Sequence, residues 1–249
     1  MKTLALRLAV SLLLIQPLVG PAAAQSVDDV VEKHLAALGG RDALAKLTTR
    51  TTTGTLSIVT PAGTFPGSIE TYSMAPNKVR SYMRLDLSAA GAGEMIIEQK
   101  FDGMTGIAMN SLQGNTEITG NPLENMRNNV FPSSLLRYKE AGSKAELLPK
   151  EKVGDRDAIV LLLTPRTGSP VRYYIDAETW VIARTVTKVN APQLGGEIEQ
   201  TSDFTDYRIV DGVKTPFQVV NANPAQTVTI TLTKVEHNVA LDAAMFAKK

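Results

Sequence analysis

From Thr48 to His237 the chain alternates, and that rhythm narrows its possible folds more than any other feature. Residues 78–87 show it best: Val79, Met83, Leu85 and Leu87 fall on one side, Lys78, Arg80, Arg84 and Asp86 on the other. A strand turns successive side chains to opposite faces, so such a segment has one apolar and one wet face. Met95, Ile97 and Phe101 keep the pattern against Glu94, Glu98 and Lys100. Asp102-Gly103 reads as a hairpin turn into a strand over 106–112. Further runs follow at 158–163, 171–175, 181–189, 198–207, 214–221 and 227–237, with turns at 176–179 and Asp211-Gly212. Threonine and β-branched residues crowd 48–59 and favour a strand there too. Successive strands with one wet face predict an antiparallel sheet.

Two stretches break the rhythm. Over 26–38, Val27, Val30, Val31, Leu35 and Leu38 fall on one helical face. Ser26 is its expected N-cap, with Asp29 as the capping-box partner. Gly39-Gly40 ends it, and 41–47 reads as a second short helix. In mid-chain, Asn121 can cap a helix and Pro122 suits its first position. Leu123, Met126 and Val130 line one side of it, and Phe131-Pro132 stops it. Ser133 can start another short helix through Leu135, Leu136 and Tyr138, ended by Gly142. The pattern predicts a mainly β chain with helices (α+β).

The N-terminus predicts export. Lys2 and Arg7 precede or enter an apolar run over 8–15, and Ala22 and Ala24 stand at −3 and −1 before Gln25. That is a signal peptide over 1–24, too short in its apolar core to span a bilayer. The chain of 249 residues has no cysteine, so a disulfide framework, a thiol nucleophile and a lipid-bearing cysteine are all excluded. Residues 25–249 must be held by a core, as one domain, soluble and periplasmic. They hold no further apolar stretch long enough to span a membrane. The chain has 26 basic and 25 acidic residues, and the leader removes two of the basic ones. So near-neutral a protein gives no electrostatic reason to expect nucleic acid or an anionic membrane surface as partner.

Sites for chemistry are scarce. His34 and His237 are the two histidines, and neither belongs to a metal-binding spacing, so both read as polar surface or edge residues. No nucleophile elbow, P-loop or dinucleotide fingerprint occurs. Gly91-Ala92-Gly93 reads as a loop, and Asp155 and Asp157 as turn residues. Neither a cofactor nor a metal is expected, and no catalytic residue. Met83, Met95, Met109 and Met126 fall on apolar faces, where methionine packs as core or adapts to irregular ligands.

The order of elements resembles the periplasmic lipoprotein-sorting carriers, the LolA/LolB-like group. The residues that carry the likeness span most of 26–246. Ala75-Pro76-Asn77-Lys78-Val79-Arg80 resembles the opening of a family strand, and Phe101-Asp102-Gly103-Met104-Thr105-Gly106 its hairpin. Leu163-Thr164-Pro165-Arg166 with Val171-Arg172-Tyr173-Tyr174-Ile175-Asp176 resembles its middle strands. Residues 239–246 resemble its closing segment. The strand from Lys78 departs from the family in carrying Tyr82 in place of a Phe or Trp pair, and 207–216 resembles a broader set of exported relatives.

The resemblance implies an incomplete antiparallel β-barrel around an apolar cavity, with helices as a lid. It implies a carrier or sensor of lipid or lipoprotein acyl chains, not an enzyme, with an envelope protein as a possible partner. On the alternation, Val79, Met83, Leu85, Met95, Ile97, Phe101, Ile107 and Met109 are expected to face that cavity. Leu123, Met126, Val130 and Phe131 are expected to form the lid over 121–131. Two other readings stay open: an envelope interaction domain with a solid core, and a hydrolase assembled from distant strands.

Overall fold

The protein is described by a computed structural model over residues 25–191 and 196–248. The expected leader over 1–24 lies outside the described residues. Three helices are α1 (Val27–Leu38), α2 (Arg41–Ala45) and α3 (Gly120–Asn128). The first six strands are β1 (Thr49–Thr60), β2 (Gly63–Met74), β3 (Lys78–Asp86), β4 (Glu94–Phe101), β5 (Gly106–Asn110) and β6 (Gly114–Ile118). After α3 come β7 (Lys144–Val153), β8 (Arg156–Thr164), β9 (Val171–Asp176), β10 (Ile182–Ala191), β11 (Gly196–Val210), β12 (Val213–Asn223) and β13 (Gln226–His237). All thirteen form one antiparallel sheet in the order β6-β5-β4-β3-β2-β1-β13-β12-β11-β10-β9-β8-β7.

That order is two meanders stitched together where β1 pairs with β13. β6 and β7 are the two edges, and no pairing joins them among the described residues. The sheet is therefore open. Residues 119–143 connect one edge to the other, so this segment has to cross the full width of the sheet.

Capping fixes α1 as expected. Ser26 Oγ accepts from the Asp29 N–H at 3.1 Å, and the Ser26 N–H donates to Asp29 Oδ2 at 3.2 Å. Gly39, at φ 126°, closes the helix against the β11–β12 turn, where a Cβ would clash with the Gly212 carbonyl. Val30, Val31 and Leu35 are fully buried against Leu161, Leu163 and Ile175 of the sheet.

The register identifies the inner face. Leu56 lies beside Ile230, then Val219, then Phe204 in one direction, and beside Gly67, Leu85 and Met95 in the other. Residues directly opposite in an antiparallel ladder share a face. Arg50, Ser73, Val79 and Phe101 form a parallel row on that face, with His237 beside Arg50. The helices cover the β8–β12 part of it, while Leu56, Ile69 and Leu85 bury one another in the β1–β4 part.

Several local expectations change. α3 begins at Gly120 with Thr119 as N-cap in place of Asn121, and Pro122 lies within the first turn, where its missing N–H costs nothing. Residues 133–142 form a chain of turns and no helix. The Leu136 N–H bonds to Ser133 O and the Ala141 N–H to Arg137 O, without a continuous ladder between them. The alternation does not mark β2, β6 or β7. β2 contains Pro66-Gly67, and Gly67 lets the β3 backbone approach where a Cβ would meet the Arg84 carbonyl. β7 contains Pro149 at a register shift on an edge strand, where a missing donor is tolerated.

Asp176 anchors the β9–β10 turn. It is 2 % exposed and accepts from the Thr179 N–H and hydroxyl, both at 2.7 Å, and from Arg156 at 2.8 Å. Burial alone pushes its pKa up, but the Thr179 hydrogen bonds and the Arg156 charge outweigh that and hold it below the ordinary value. A carboxylate with a depressed folded pKa contributes stability above its unfolded pKa of about 3.9, and loses it as pH falls through the lower folded value. Asp176→Asn should therefore lower Tm by several degrees at neutral pH and by much less once the pH has fallen below the lowered folded value. A deficit of constant size from neutral to acid pH would show that the charge is not what matters.

Candidate ligand-binding cavity

A cavity of about 710 Å³ lies on the inner face beneath the crossing segment. That size falls in the ordinary range for small-molecule pockets. Leu38, Leu44 and Leu47 from the helical end form one wall, and Leu163, Val171, Ile182, Phe204 and Val213 from β8–β12 form another. Tyr173 and Tyr207 add ring surface. The Tyr207 hydroxyl donates to the Ile182 carbonyl at 2.7 Å, and burial pushes its pKa up, so it stays a phenol. Burial pushes Tyr173 up to about 12 in the same way.

α3 and the turns after it close the mouth through polar contacts. Asn125 Oδ1 accepts from the Ser169 N–H at 2.7 Å, and its amide donates to Ser169 Oγ at 3.3 Å. Asn128 donates to the Thr167 carbonyl at 2.6 Å, and the Thr167 hydroxyl donates to Glu124 at 2.6 Å. These bonds hold one side of α3 to the β8–β9 loop. On the other side Arg127 donates to the Met104 carbonyl at 2.9 Å, and Asn77 donates to the Arg127 carbonyl at 3.2 Å. The helix thus bridges the β8–β9 loop to the β2–β3 and β4–β5 loops.

The expected lid residues divide. Val130 lines the cavity. Leu123 and Met126 are half-buried and stand outside its wall, which takes Asn125, Arg127 and Asn128 from α3 instead. Phe131 lies past the helix, 8 % exposed, in the core with Leu135 and Leu136. The expected cavity residues divide as well. Val79, Met83, Leu85, Met95, Ile97 and Phe101 lie on the inner face, outside the wall of this cavity. Ile107 and Met109 lie on the opposite face, which corrects the expectation. The Asp102–Thr105 loop sets a register in which Ile107 stands beside Lys100 and Met109 beside Glu98, residues of the other parity.

His34 is buried, against the surface reading, and His237 is half-buried on a central strand. His34, 1 % exposed, sits in phase with Val30, Leu35 and Leu38 on the apolar stripe of α1, a phase visible in the sequence. Its Nδ1–H donates to the Trp180 carbonyl at 2.8 Å, which leaves Nε2 as a bare acceptor, and burial lowers its pKa and keeps it neutral. His237 meets Asp211 at 3.2 Å, and its pKa is lowered by burial. Arg50 is the functional candidate that the alternation alone passes over. It is in phase with Leu56 and Ile58, so a cation on the apolar face was the available signal. Its guanidinium stands 5.3 Å from the centre of the Phe131 ring, and burial lowers its pKa.

Among the described residues no cluster of three or more His, Asp or Glu side chains could hold a metal. No helix there is long and apolar enough to cross a membrane.

No protein-family model and no curated protein sequence matches the chain. Solved structures do. A DUF1329 family protein from Desulfovibrio piger superposes with a TM-score of 0.58 at 15% identity, covering 90% of this chain and 98% of the other. A LolA superfamily protein from Nitrosomonas europaea gives 0.56 at 13% identity, covering 90% and 99%. A putative outer membrane lipoprotein-sorting protein domain from Vibrio parahaemolyticus gives 0.53 at 10% identity, covering 88% and 95%. At these identities the likeness is one of architecture, and with an open antiparallel sheet strapped across its inner face the chain has the LolA/LolB-like fold.

Proposed function

We propose that this chain is an exported, non-enzymatic carrier that holds the acyl chain of a lipidated or amphiphilic molecule in its cavity as that molecule crosses the periplasm. The observation that carries this reading is the cavity itself: about 710 Å³ of largely apolar wall under a strap held by hydrogen bonds. Each buried methylene contributes about 0.8 kcal/mol, so a single acyl chain supplies enough affinity without covalent or metal chemistry. The α3 part of the strap, fastened by polar contacts and without a buried residue, can open while Phe131, Leu135 and Leu136 stay in the core, which suits a protein that must also let go. The names of the Nitrosomonas and Vibrio neighbours, LolA superfamily and lipoprotein-sorting, agree with the reading.

We place the tail of a longer chain along Met83, Leu85, Met95 and Ile97, which continue the inner face beyond the cavity. The β1–β4 part of that face is already close-packed around Leu56 and Ile69, and this favours the second reading, an envelope interaction domain with a solid core. Native mass spectrometry of protein purified from its own periplasm separates the two. The carrier reading expects a mature chain starting at Gln25 with a lipid-sized adduct, and a fatty acid with a photoreactive tail should label the cavity wall. A ligand-free protein that takes up no fluorescent fatty acid, or a chain still bearing Met1, would overturn it.

A further inference from the structure

Two buried side-chain polar atoms lack any partner among the described residues: Arg50 Nε and His34 Nε2. Both residues line the cavity. Buried polar groups in folded proteins are almost always satisfied, so two orphans on one wall point to something that occupies the space. Arg50 is the sharper case. The other arginines on this wall have carboxylates nearby, Glu124 at 2.6 Å from Arg127 and Glu140 at 3.9 Å from Arg137. Arg50 makes no ion pair among the described residues; the Phe131 ring lies near its guanidinium and the His237 imidazole stands opposite it on the ladder. A guanidinium held on an apolar face without an anion is unfavourable, and a ring only partly offsets that.

We propose that the cavity takes an amphiphile with an anionic head, carboxylate or phosphate, and that Arg50 holds the head while the apolar wall holds the tail. This rests on the carrier reading and adds the chemical class of the cargo. A guanidinium offers a planar fork of donors that a carboxylate or phosphate accepts, and in a water-poor cavity that pairing is strong. The rest of the wall suits the same charge: Arg127, Arg137 and Lys214 lie on it, with Glu140 as its single carboxylate. His34, neutral with Nε2 bare, adds an acceptor rather than a second cation, so the anion belongs beside Arg50.

The test compares dodecanoate, dodecyl phosphate and dodecanol as competitors for a bound fluorescent probe, on the mature wild-type chain and on Arg50→Gln. One or both anionic ligands should bind about tenfold to a hundredfold tighter than the alcohol in the wild type. Arg50→Gln should remove most of that preference, weakening the anions far more than dodecanol. Whichever anion leads names the source, a fatty acid or a phosphate-bearing lipid. Wild-type protein that binds dodecanol as tightly as both anions overturns the head-group assignment and leaves the carrier standing. Displacement by none of the three overturns both. The wild-type comparison decides by itself should Arg50→Gln fail to fold.

Discussion

Asn125→Leu should speed release of a bound fatty acid about tenfold or more while leaving the thermal melt within a few degrees of wild type. Asn125 is the side chain that both donates to and accepts from Ser169, and it fastens α3 to the β8–β9 loop. Leucine keeps the volume and deletes both bonds. It also strands the Ser169 N–H in a part-buried site, and the two losses together come to about 2 kcal/mol. Applied to an equilibrium between a closed and an open strap, that shifts the open population by more than tenfold. The sheet core does not run through α3, none of whose residues is buried, so global stability should change little. Met126→Asp, the substitution that the apolar stripe of the sequence suggests, should do much less, because Met126 is outside the cavity wall. Stopped-flow release paired with a melt measures all three proteins. Unchanged release in Asn125→Leu, together with a large loss of stability, would mean that α3 is structural and does not gate the cavity.

Leu35→Ala should cost about 3 kcal/mol of unfolding free energy. Leu35 is fully buried and sits among Val31, Leu161, Leu163 and Ile175, where α1 meets the inner face of the sheet. Removing its branched end deletes transfer energy and leaves a hole that the sheet, held by its ladders, closes only in part. The same face of α1 carries His34 and Leu38 onto the cavity wall, so a loosened helix should also weaken ligand binding. Denaturant unfolding at fixed m-value gives the number. A loss below about 1 kcal/mol would show that α1 is a surface cover whose packing the fold does not need.

How much of this was legible in the chain depends on the range of the interaction. α1 was, because a capping box, a stripe at helical spacing and two terminal glycines are all local. β3 and β4 were, because their parity is unbroken. β5 was legible as a strand but not in its facing: Ile107 and Met109 are apolar and alternate correctly, yet the loop before them sets the opposite parity. Apolar character names a strand face, and only pairing says which face of the sheet it joins. The cavity was less legible still. Its wall gathers α1, β1, β8–β12 and residues 125–143, and no short-range pattern brings Arg50 to Phe131 or Asn125 to Ser169. His34 and Arg50 did carry a local sign, a polar residue in phase with an apolar stripe, and that sign marks the places where the wall has unmet hydrogen-bonding capacity.

The seam between β1 and β13 also sets an order of events when the chain folds. Each meander is built from neighbours in sequence and can form by itself, hairpin after hairpin. The seam joins Arg50 to His237 and must wait until nearly the whole described chain has been brought round. Until then both of its strands are bare edges, open to pairing with any other extended chain. A chain cut short before Gln226 would keep both meanders and lose the ladder between them, leaving α1 and the crossing segment as their links. Such a product should expose both bare strands and self-associate, readable by limited proteolysis and by sedimentation. The cavity, whose wall takes Arg50 from one half and Phe204 from the other, exists once the seam has closed.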